Sequence, residues 1–442
     1  MLSEIAVTTS NTDSTIYAWD IRSGSTLFSF KQNKSNGVCI IPRPGAPNQT
    51  GAIMTAQTDR ASLHLYDWQR DQILQKMLTP EKMITLAASN HGHYTAGASS
   101  SGKIYIWHNA SGALKHMFDA HYQPVTCLTF TKDDSALISA SEDATVKVWP
   151  IVQLCSTALT QLQPSPLYSW IDHTLPVSAV YAGSGSQSNA RIYTASADFT
   201  VKVWDLASGE LLTTFLFPKP VTAIVMHPAE TQLFAACGND VYKVDLYRQR
   251  QHQRYDNVQG VGGQGAVEHV DANGTSSVFK GHSDEIRALS ISFDGSLLVS
   301  ASQDGNAFVW DVASLQQLRT FASHKGPVTG IECVLRPIEL SMGTLQQKHA
   351  SIPVKTFKRT ISAEDGDKHL DVEQQLAPSR KRFAIDTQSV DDGDSDIKLS
   401  RDEQRNFTVW YTPCGLFYNS KLLCFLRTIL GKEALEMINA LK

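Results

Sequence analysis

The sequence has few features of a membrane, secreted or metal-binding protein. Its seven cysteines are scattered and never spaced C-x-x-C, so neither a disulfide framework nor a zinc site is indicated. No apolar run approaches the ~18 residues of a membrane span, and residues 1–10 lack the regions of a signal peptide. Lys and Arg (39) nearly balance Asp and Glu (43), which excludes a surface that binds polyanions throughout. We expect a soluble chain of a reducing compartment, without metal or cofactor.

A repeat is present instead. Seven segments end in an equivalent, mostly aromatic residue, at intervals of 47, 41, 42, 55, 40 and 66 positions. These residues are Trp19, Tyr66, Trp107, Trp149, Trp204, Val244 and Trp310. A base period of about 40 to 45 residues, with four short β-branched runs in each unit, is typical of a four-stranded propeller blade. We therefore predict an all-β, seven-bladed β-propeller with no helix before the C-terminal tail.

The chain ends are predicted to complete one blade together. The first unit begins at its second strand, and the last stops after its first. Residues 327–334 would supply the innermost strand of a blade whose other strands are residues 4–9, 15–20 and 26–30. Closure of this kind removes the exposed strand edges of an open stack.

A spacing pattern supports the closure. In three units a Ser or Thr lies four positions before an Asp, the Asp lies six before a Trp, and a His precedes the set. At the N-terminus Thr9, Asp13 and Trp19 repeat the spacing, and the missing His is His324, more than 300 positions away. The other predicted tetrads are His121, Ser139, Asp143 and Trp149; His173, Thr194, Asp198 and Trp204; and His282, Ser300, Asp304 and Trp310.

These sets also contain the parts of a hydrolase triad, namely a hydroxyl, an imidazole and a carboxylate. An enzyme needs one such site, whereas the pattern occurs four times. Buried polar groups must be hydrogen-bonded, and a Trp N–H, a hydroxyl, an imidazole and a carboxylate form one satisfied chain. We therefore predict that the tetrads stabilise blades, and we assign no catalytic residue.

Two further motifs are interpreted as loops. Residues 260–265 match G-x-G-x-x-G, but neither the preceding strand nor the following helix of a dinucleotide site is indicated. We interpret them as part of a flexible insertion between the third and fourth strands of the fifth blade. Its Arg248, Arg250 and Arg254 could contact RNA phosphate or an acidic partner, although a solvated loop is the simpler interpretation. His91 and His93 are predicted in a turn of the second blade.

The composition changes after the repeats. We assign residues 1–336 to the propeller, 337–406 to a charged and largely disordered connector, and 407–442 to an apolar segment that ends in a short helix. Deletion of residues 343–442 is expected to leave a folded propeller. Within the connector, Arg380, Lys381 and Arg382 match a basic nuclear-import signal, with plain solvation as the alternative. The final helix would dock on the propeller, on a second copy or on another subunit.

The chain as a whole resembles the WD-repeat propeller family. More narrowly, residues 102–107, 120–126 and 172–177 resemble the WD-repeat subunit of the fungal pre-rRNA-processing complex, whose name refers to internal transcribed spacer two. Residues 352–353 and 357–359 resemble a segment that this family carries after its propeller.

The resemblance implies a non-enzymatic scaffold in the nucleus, in the nucleolus or nucleoplasm. It implies helical-repeat partner subunits, association with precursors of the large ribosomal subunit (pre-60S particles), and help in recruiting a midasin-type AAA+ ATPase. A chromatin or replication-initiation adaptor and a substrate receptor of a ubiquitin ligase remain alternatives. Members of this family pair two subunits through a charged, heptad-like terminal helix, which the sequence does not show. The resemblance therefore does not decide whether the chain forms a homodimer, or whether it contacts RNA directly.

Overall fold

A computed structural model describes residues 3–43, 46–155, 163–186, 188–249, 258–261, 263–270, 277–340, 354–361, 411–412 and 415–416. The chain consists of two units, residues 1–376 and residues 377–442. In the second unit the structure describes one short antiparallel pair of strands, given below. The predicted import signal at Arg380, Lys381 and Arg382 and the predicted terminal helix lie outside the described residues.

The first unit contains seven antiparallel blades, in which the strands are lettered a to d from the inside outwards. The chain begins with β1 (Glu4–Ser10), β2 (Thr15–Asp20) and β3 (Thr26–Lys31), which are strands b, c and d of blade seven. Blade one contains β4 (Cys39–Arg43), β5 (Ala46–Ala56), β6 (Ser62–Tyr66) and β7 (Ile73–Leu78). Blade two contains β8 (Met83–Ala88), β9 (Tyr94–Ser99), β10 (Lys103–His108) and β11 (Leu114–Asp119).

Blades three and four follow the same order. Blade three contains β12 (Val125–Phe130), β13 (Ala136–Ser141), β14 (Val146–Pro150) and β15 (Tyr168–Trp170). Blade four contains β16 (Val177–Ala182), β17 (Arg191–Ser196), β18 (Thr200–Asp205) and β19 (Leu211–Leu216). A five-residue helix, α1 (Ile151–Cys155), follows β14 where we expected no helix, and it buries Ile151 and Leu154.

The remaining blades complete the ring. Blade five contains β20 (Val221–Met226), β21 (Gln232–Cys237), β22 (Asp240–Asp245) and β26 (Ser277–Lys280), with β23 (Tyr247–Gln249), β24 (Val258–Gly260) and β25 (Ala266–His269) between the last two. Blade six contains β27 (Ile286–Ile291), β28 (Leu297–Ser302), β29 (Ala307–Asp311) and β30 (Gln317–Phe321). β31 (Val328–Leu335) is strand a of blade seven, a 3-10 helix (Ile338–Leu340) follows it, and β32 (Tyr411–Thr412) and β33 (Gly415–Leu416) belong to the second unit.

The predicted ring closure is confirmed. β31 pairs antiparallel with β1, from Glu4 opposite Leu335 to Ser10 opposite Val328. The inner strands of blades one to six each contact the inner strand of the next blade, and β31 of blade seven contacts β5 of blade one. The chain ends therefore build one sheet, and this sheet joins blade six to blade one.

The hydrophobic core lies between blades rather than in one centre. Seven clusters of buried side chains each fill the space between two neighbouring sheets. Because both faces of each sheet are covered, the strands are rich in β-branched and aromatic residues. The strand-c tryptophans lie in these clusters, as where Trp19 stacks on Phe321 with ring centroids 4.7 Å apart.

The insertion of blade five is partly ordered against its neighbour. β25 pairs in parallel with β19, from Thr213 opposite Ala266 to Leu216 opposite His269, and becomes a fifth strand of blade four. Our interpretation of the whole insertion as a flexible loop is wrong for this segment. Gly260 ends β24, and a strand rather than a helix follows the glycines. The surroundings of a dinucleotide-binding turn are therefore not formed.

Candidate functional site

Blade three contains a continuous chain of buried polar groups. Trp149 Nε1 donates to Ser139 Oγ over 3.0 Å, and this oxygen lies 2.8 Å from Nε2 of His121. The other imidazole nitrogen, Nδ1, lies 3.0 Å from a carboxylate oxygen of Asp143. The same carboxylate accepts a hydrogen bond of 2.9 Å from the backbone N–H of Thr145. The tetrad thus joins strands b and c to the loops that enter strands a and c.

The same three contacts recur in blades four and six, with distances between 2.7 and 3.0 Å. They join Trp204, Thr194, His173 and Asp198 in blade four, and Trp310, Ser300, His282 and Asp304 in blade six. The structure therefore brings together all twelve residues of these three predicted sets.

In blade seven the hydroxyl belongs to Thr8, not to Thr9 as we predicted. Trp19 Nε1 donates to Thr8 Oγ1 over 2.9 Å, and this oxygen lies 2.9 Å from His324 Nε2. His324 Nδ1 lies 3.2 Å from Asp13. Thr9 Oγ1 is buried and has no hydrogen-bond partner among the described residues.

The error has a simple cause. The hydroxyl residue lies two positions after the residue that pairs with the Trp: Ala6 pairs with Trp19, as Leu137 pairs with Trp149. In blade seven the turn between strands b and c is one residue longer, so that counting back from Asp13 gives the wrong residue. Counting along strand b would have found Thr8.

Burial and hydrogen bonding shift the pKa of several tetrad residues. Burial by itself would raise the pKa of Asp143 and Asp198, but hydrogen bonds donated by the neighbouring imidazole and hydroxyl groups outweigh it and hold each pKa well below its usual range. Burial lowers the pKa of His282 and His324 despite their carboxylate neighbours. In blade six a neutral His282 then donates from Nδ1 to Asp304 and accepts at Nε2 from the Ser300 hydroxyl.

This order of atoms is that of a serine hydrolase triad, but the surroundings differ. Ser139 and Ser300 have no exposed surface, and their hydroxyl oxygens already accept from a Trp N–H. A substrate carbonyl cannot approach such an oxygen without displacing the core. Within the part of the chain that the structure describes, no three His, Cys, Asp or Glu side chains form a metal-binding group, and no helix could span a membrane.

A cavity of about 900 Å³ lies along the inner strands. Its lining includes Glu332, Cys39 and Cys333. Burial raises the pKa of the Cys39 thiol and raises that of Cys333 to about 12, so both stay protonated at neutral pH and are poor nucleophiles. Burial also raises the pKa of Glu332 to about 7.

Blade two has no tetrad, and a segment beyond the propeller takes its place. Gly97 occupies the position of the missing hydroxyl residue, because Thr95, two positions earlier, pairs with Trp107. Trp107 Nε1 instead donates to the carbonyl oxygen of Lys358 over 3.0 Å, and Phe357 stacks on the indole with centroids 5.1 Å apart.

Two backbone hydrogen bonds hold residues 354–361 against this blade. The N–H groups of Lys355 and Lys358 donate to the carbonyls of Asn109 and Gly112, over 3.0 and 2.7 Å. Gly112 has φ +69°, and a Cβ there would lie 2.2 Å from the carbonyl oxygen of Thr356. The composition assigns this segment to the connector, and a Trp without its tetrad is the sequence signal that could have indicated its docking.

The comparison with known proteins matches blades three, four and six, which contain the continuous tetrads. The family model "WD domain, G-beta repeat" matches residues 112–150, 164–205 and 274–311, which contain the tryptophans of the three continuous tetrads. Over 358 residues the chain is 34% identical to human WD repeat-containing protein 18, covering 79% of this chain and 76% of that protein. The chain belongs to the family of WD repeat-containing protein 18 and IPI3.

Fungal members of the WD repeat-containing protein 18 and IPI3 family carry names that state a process. Over 323 residues the chain is 33% identical to pre-rRNA-processing protein IPI3 of Yarrowia lipolytica, covering 72% of this chain and 73% of that protein. Pre-rRNA-processing protein crb3/ipi3 of Schizosaccharomyces pombe is 28% identical over 371 residues, with 79% and 80% covered.

Proposed function

We propose that this chain is a non-catalytic scaffold of pre-rRNA processing and large ribosomal subunit assembly in the nucleus. The observation that carries the proposal is the extended similarity to relatives named as pre-rRNA-processing proteins, on a chain whose triad-like hydroxyl and imidazole groups are buried. A rigid ring with many short loops suits a protein that holds several partners at once. We further propose that the four tetrads fix the blades.

This proposal predicts three kinds of partner: helical-repeat subunits, pre-60S particles and a midasin-type AAA+ ATPase.

The test is depletion of the protein in its own cells, followed by expression of the full chain or of a variant. Loss of the chain should cause precursors that contain internal transcribed spacer two to accumulate, and should lower the ratio of large to small ribosomal subunits. Unchanged precursors after complete depletion would refute the proposal.

Purification of the tagged chain separates the alternatives. The scaffold proposal expects large-subunit precursors and the ATPase to co-purify, whereas a ubiquitin-ligase receptor would bring cullin-type adaptors and a replication adaptor would bring chromatin. A Ser139→Ala, Ser300→Ala double variant tests the absence of catalysis. It should restore pre-rRNA processing whenever its level in the cell matches that of the wild type. If either hydroxyl were catalytic, the variant would fail to restore processing even at an equal level.

The proposed import signal has its own control. Replacement of Arg380, Lys381 and Arg382 by Ala should reduce the nuclear fraction of the protein, and an unrelated import signal fused to the variant should restore both localisation and rescue. A variant that remains nuclear without the fusion would show that these residues are merely solvated.

A further inference from the structure

Four large apolar side chains lie exposed on the loops of blades three and four. They are Tyr122, Ile171, Leu175 and Phe199, which are 96%, 71%, 45% and 39% exposed. All four lie on the loops that enter strands a and c, so they belong to one face of the ring. Single exposed apolar residues are ordinary, but a group of them on one face marks an interaction site.

Hydrogen bonds of the two tetrads hold these loops together. In blade three the backbone N–H of Tyr122 donates to Asp143 over 3.4 Å. Ile171 directly follows Trp170, and Trp170 pairs with Val146, next to the turn that contains Asp143. The exposed side chains of blade three therefore stand on either side of one anchored turn.

Blade four continues the same surface. Leu175 lies four residues after Ile171 in the loop between the blades, and its carbonyl oxygen accepts from Ser196 Oγ over 2.9 Å. The N–H of Thr174 donates to Asp198, which directly precedes Phe199. We call Tyr122, Ile171, Leu175 and Phe199 the apolar face.

The fold does not require these residue types. The residue that follows the tetrad His is Tyr122 in blade three but Ser283 in blade six and Lys325 in blade seven. Phe199 has φ +67°, in the left-handed region that is unfavourable for a side chain, and the equivalent residue of blade six is Gly305 with φ +84°. The backbone at this position is strained with Phe and unstrained with Gly, so the turn itself does not select an aromatic residue.

Lys147 of β14 donates from Nζ to the carbonyl oxygen of Ala120, but the loops of the apolar face themselves contribute only acidic charges. These loops, residues 120–124, 142–145, 171–176 and 197–199, contain no Lys or Arg. Asp143 and Asp198 are engaged in the tetrads, while Glu142 and Asp172 are exposed. Acidic groups beside apolar side chains favour a partner that carries both apolar and basic residues.

We propose that the apolar face docks a segment of a partner protein that presents two or three large apolar side chains flanked by Lys or Arg. The inference rests on the proposed scaffold function and names the partner chemistry for one of its surfaces. Tyr122 and Phe199 supply the aromatic anchors that dominate binding at such interfaces, and Glu142 and Asp172 select the basic flanks.

The test uses the full chain and a phage-displayed library of random 16-residue peptides. Selection on the wild type should enrich sequences that combine Leu, Ile, Phe or Trp with Lys or Arg. The affinity of the enriched peptides is then measured for a Tyr122→Ser, Leu175→Ser variant and for a control, Val152→Ser, Phe293→Ser. The control residues are 79% and 58% exposed, on connections at the opposite ends of the strands.

The proposal expects binding to weaken by roughly tenfold or more in the apolar-face variant and by less than about twofold in the control. Because the substituted residues of both variants are exposed, the free energy of unfolding in urea should be unchanged in both. A Glu142→Lys, Asp172→Lys variant should lose the enriched basic peptides and should select acidic ones instead. Peptides that bind all variants equally, or an enriched set without apolar and basic residues, would overturn the inference.

Rescue of depleted cells separates this inference from the function on which it rests. If the wild-type chain restores pre-rRNA processing and the apolar-face variant does so only in part, both stand. If the wild type restores processing and the variant does so equally well, the docking inference fails alone. If depletion leaves pre-rRNA unchanged, the scaffold proposal fails, and the peptide affinities still decide whether the apolar face binds.

Discussion

Two adjacent threonines in β1 offer a matched test of the ring closure. Thr8 and Thr9 are both completely buried in the same strand, but the Thr8 hydroxyl joins Trp19 to His324, whereas the Thr9 hydroxyl has no partner among the described residues. Replacement of either Thr by Val removes the hydroxyl and keeps the shape of the side chain. The two variants therefore differ in the hydrogen bonds that they lose.

The expected magnitudes follow from this difference. Thr8→Val leaves the Trp19 N–H and the His324 Nε2 without partners in the core, and each unsatisfied buried group costs about 1–3 kcal/mol. We expect the free energy of unfolding to fall by about 2–5 kcal/mol. Thr9→Val removes a hydroxyl that makes no bond, so its effect should be below about 1 kcal/mol and should favour the folded state.

Equilibrium urea unfolding and amide hydrogen exchange measure the two effects. At a loss of ~2 kcal/mol or more, exchange in β1 and β31 should accelerate by roughly 30-fold in Thr8→Val and stay unchanged in Thr9→Val. Equal destabilisation by the two variants, or a larger effect of Thr9→Val, would show that the hydroxyl of the closing tetrad is wrongly assigned.

Three further outcomes can be measured by urea unfolding. Phe357→Ala should lower the free energy of unfolding by about 2–4 kcal/mol, because it removes the ring that covers Trp107. Glu332→Gln should raise the free energy of unfolding by about 1–3 kcal/mol at pH 8 and hardly at all at pH 4. The reason is that the Glu332 carboxyl, with a pKa of about 7 in the folded chain, is charged at pH 8 and neutral at pH 4, and burial disfavours only the charged form. The stability that His282 contributes should decrease as the pH falls below about 6.5, because burial lowers its folded pKa and the unfolded chain then binds the proton more readily.

Each of these outcomes has a control. Ile361→Ala changes a 43% exposed residue of the same tail segment and should leave stability within about 0.5 kcal/mol. The Glu332 difference must vanish at low pH; a constant gain at every pH would point to packing instead of ionisation. His282→Gln removes the titrating group, so a pH profile below 6.5 identical to that of the wild type would contradict the assignment to His282.

Much of the fold could be predicted because propeller blades repeat. The interval between equivalent aromatic residues identified the blades, and His324 indicated which chain ends meet. These signals are local spacings in strands and turns, which the sequence displays directly. The insertion of blade five was located correctly, but the pairing of its β25 with blade four was not predicted. A four-residue strand recruited in this way leaves almost no periodic signal.

The tail shows a different limit of sequence reasoning. Its composition from about residue 342 onward predicts a connector, and averaging over that stretch conceals residues 354–361. The decisive information lay elsewhere, in Trp107, whose blade has Gly97 where other blades have a hydroxyl residue. An unsatisfied group in one part of a sequence can thus predict a partner in another. It does not identify that partner, because Lys358 contributes a backbone carbonyl, which every residue possesses.

The blades without a tetrad show what the tetrad contributes. Blade two has Gly97 at the hydroxyl position, and blade five has Val244 where five other blades have Trp, yet both form the same four-stranded sheet. A catalytic set would be unique, and a set required for folding would occur in every blade. Tetrads in four blades of seven fit a third role: each occurs where a strand-c Trp needs a partner for its buried N–H. In blade two the N–H of Trp107 donates instead to the carbonyl oxygen of Lys358, which lies beyond the propeller. A chain ending at residue 342 would therefore have an unsatisfied indole N–H in blade two.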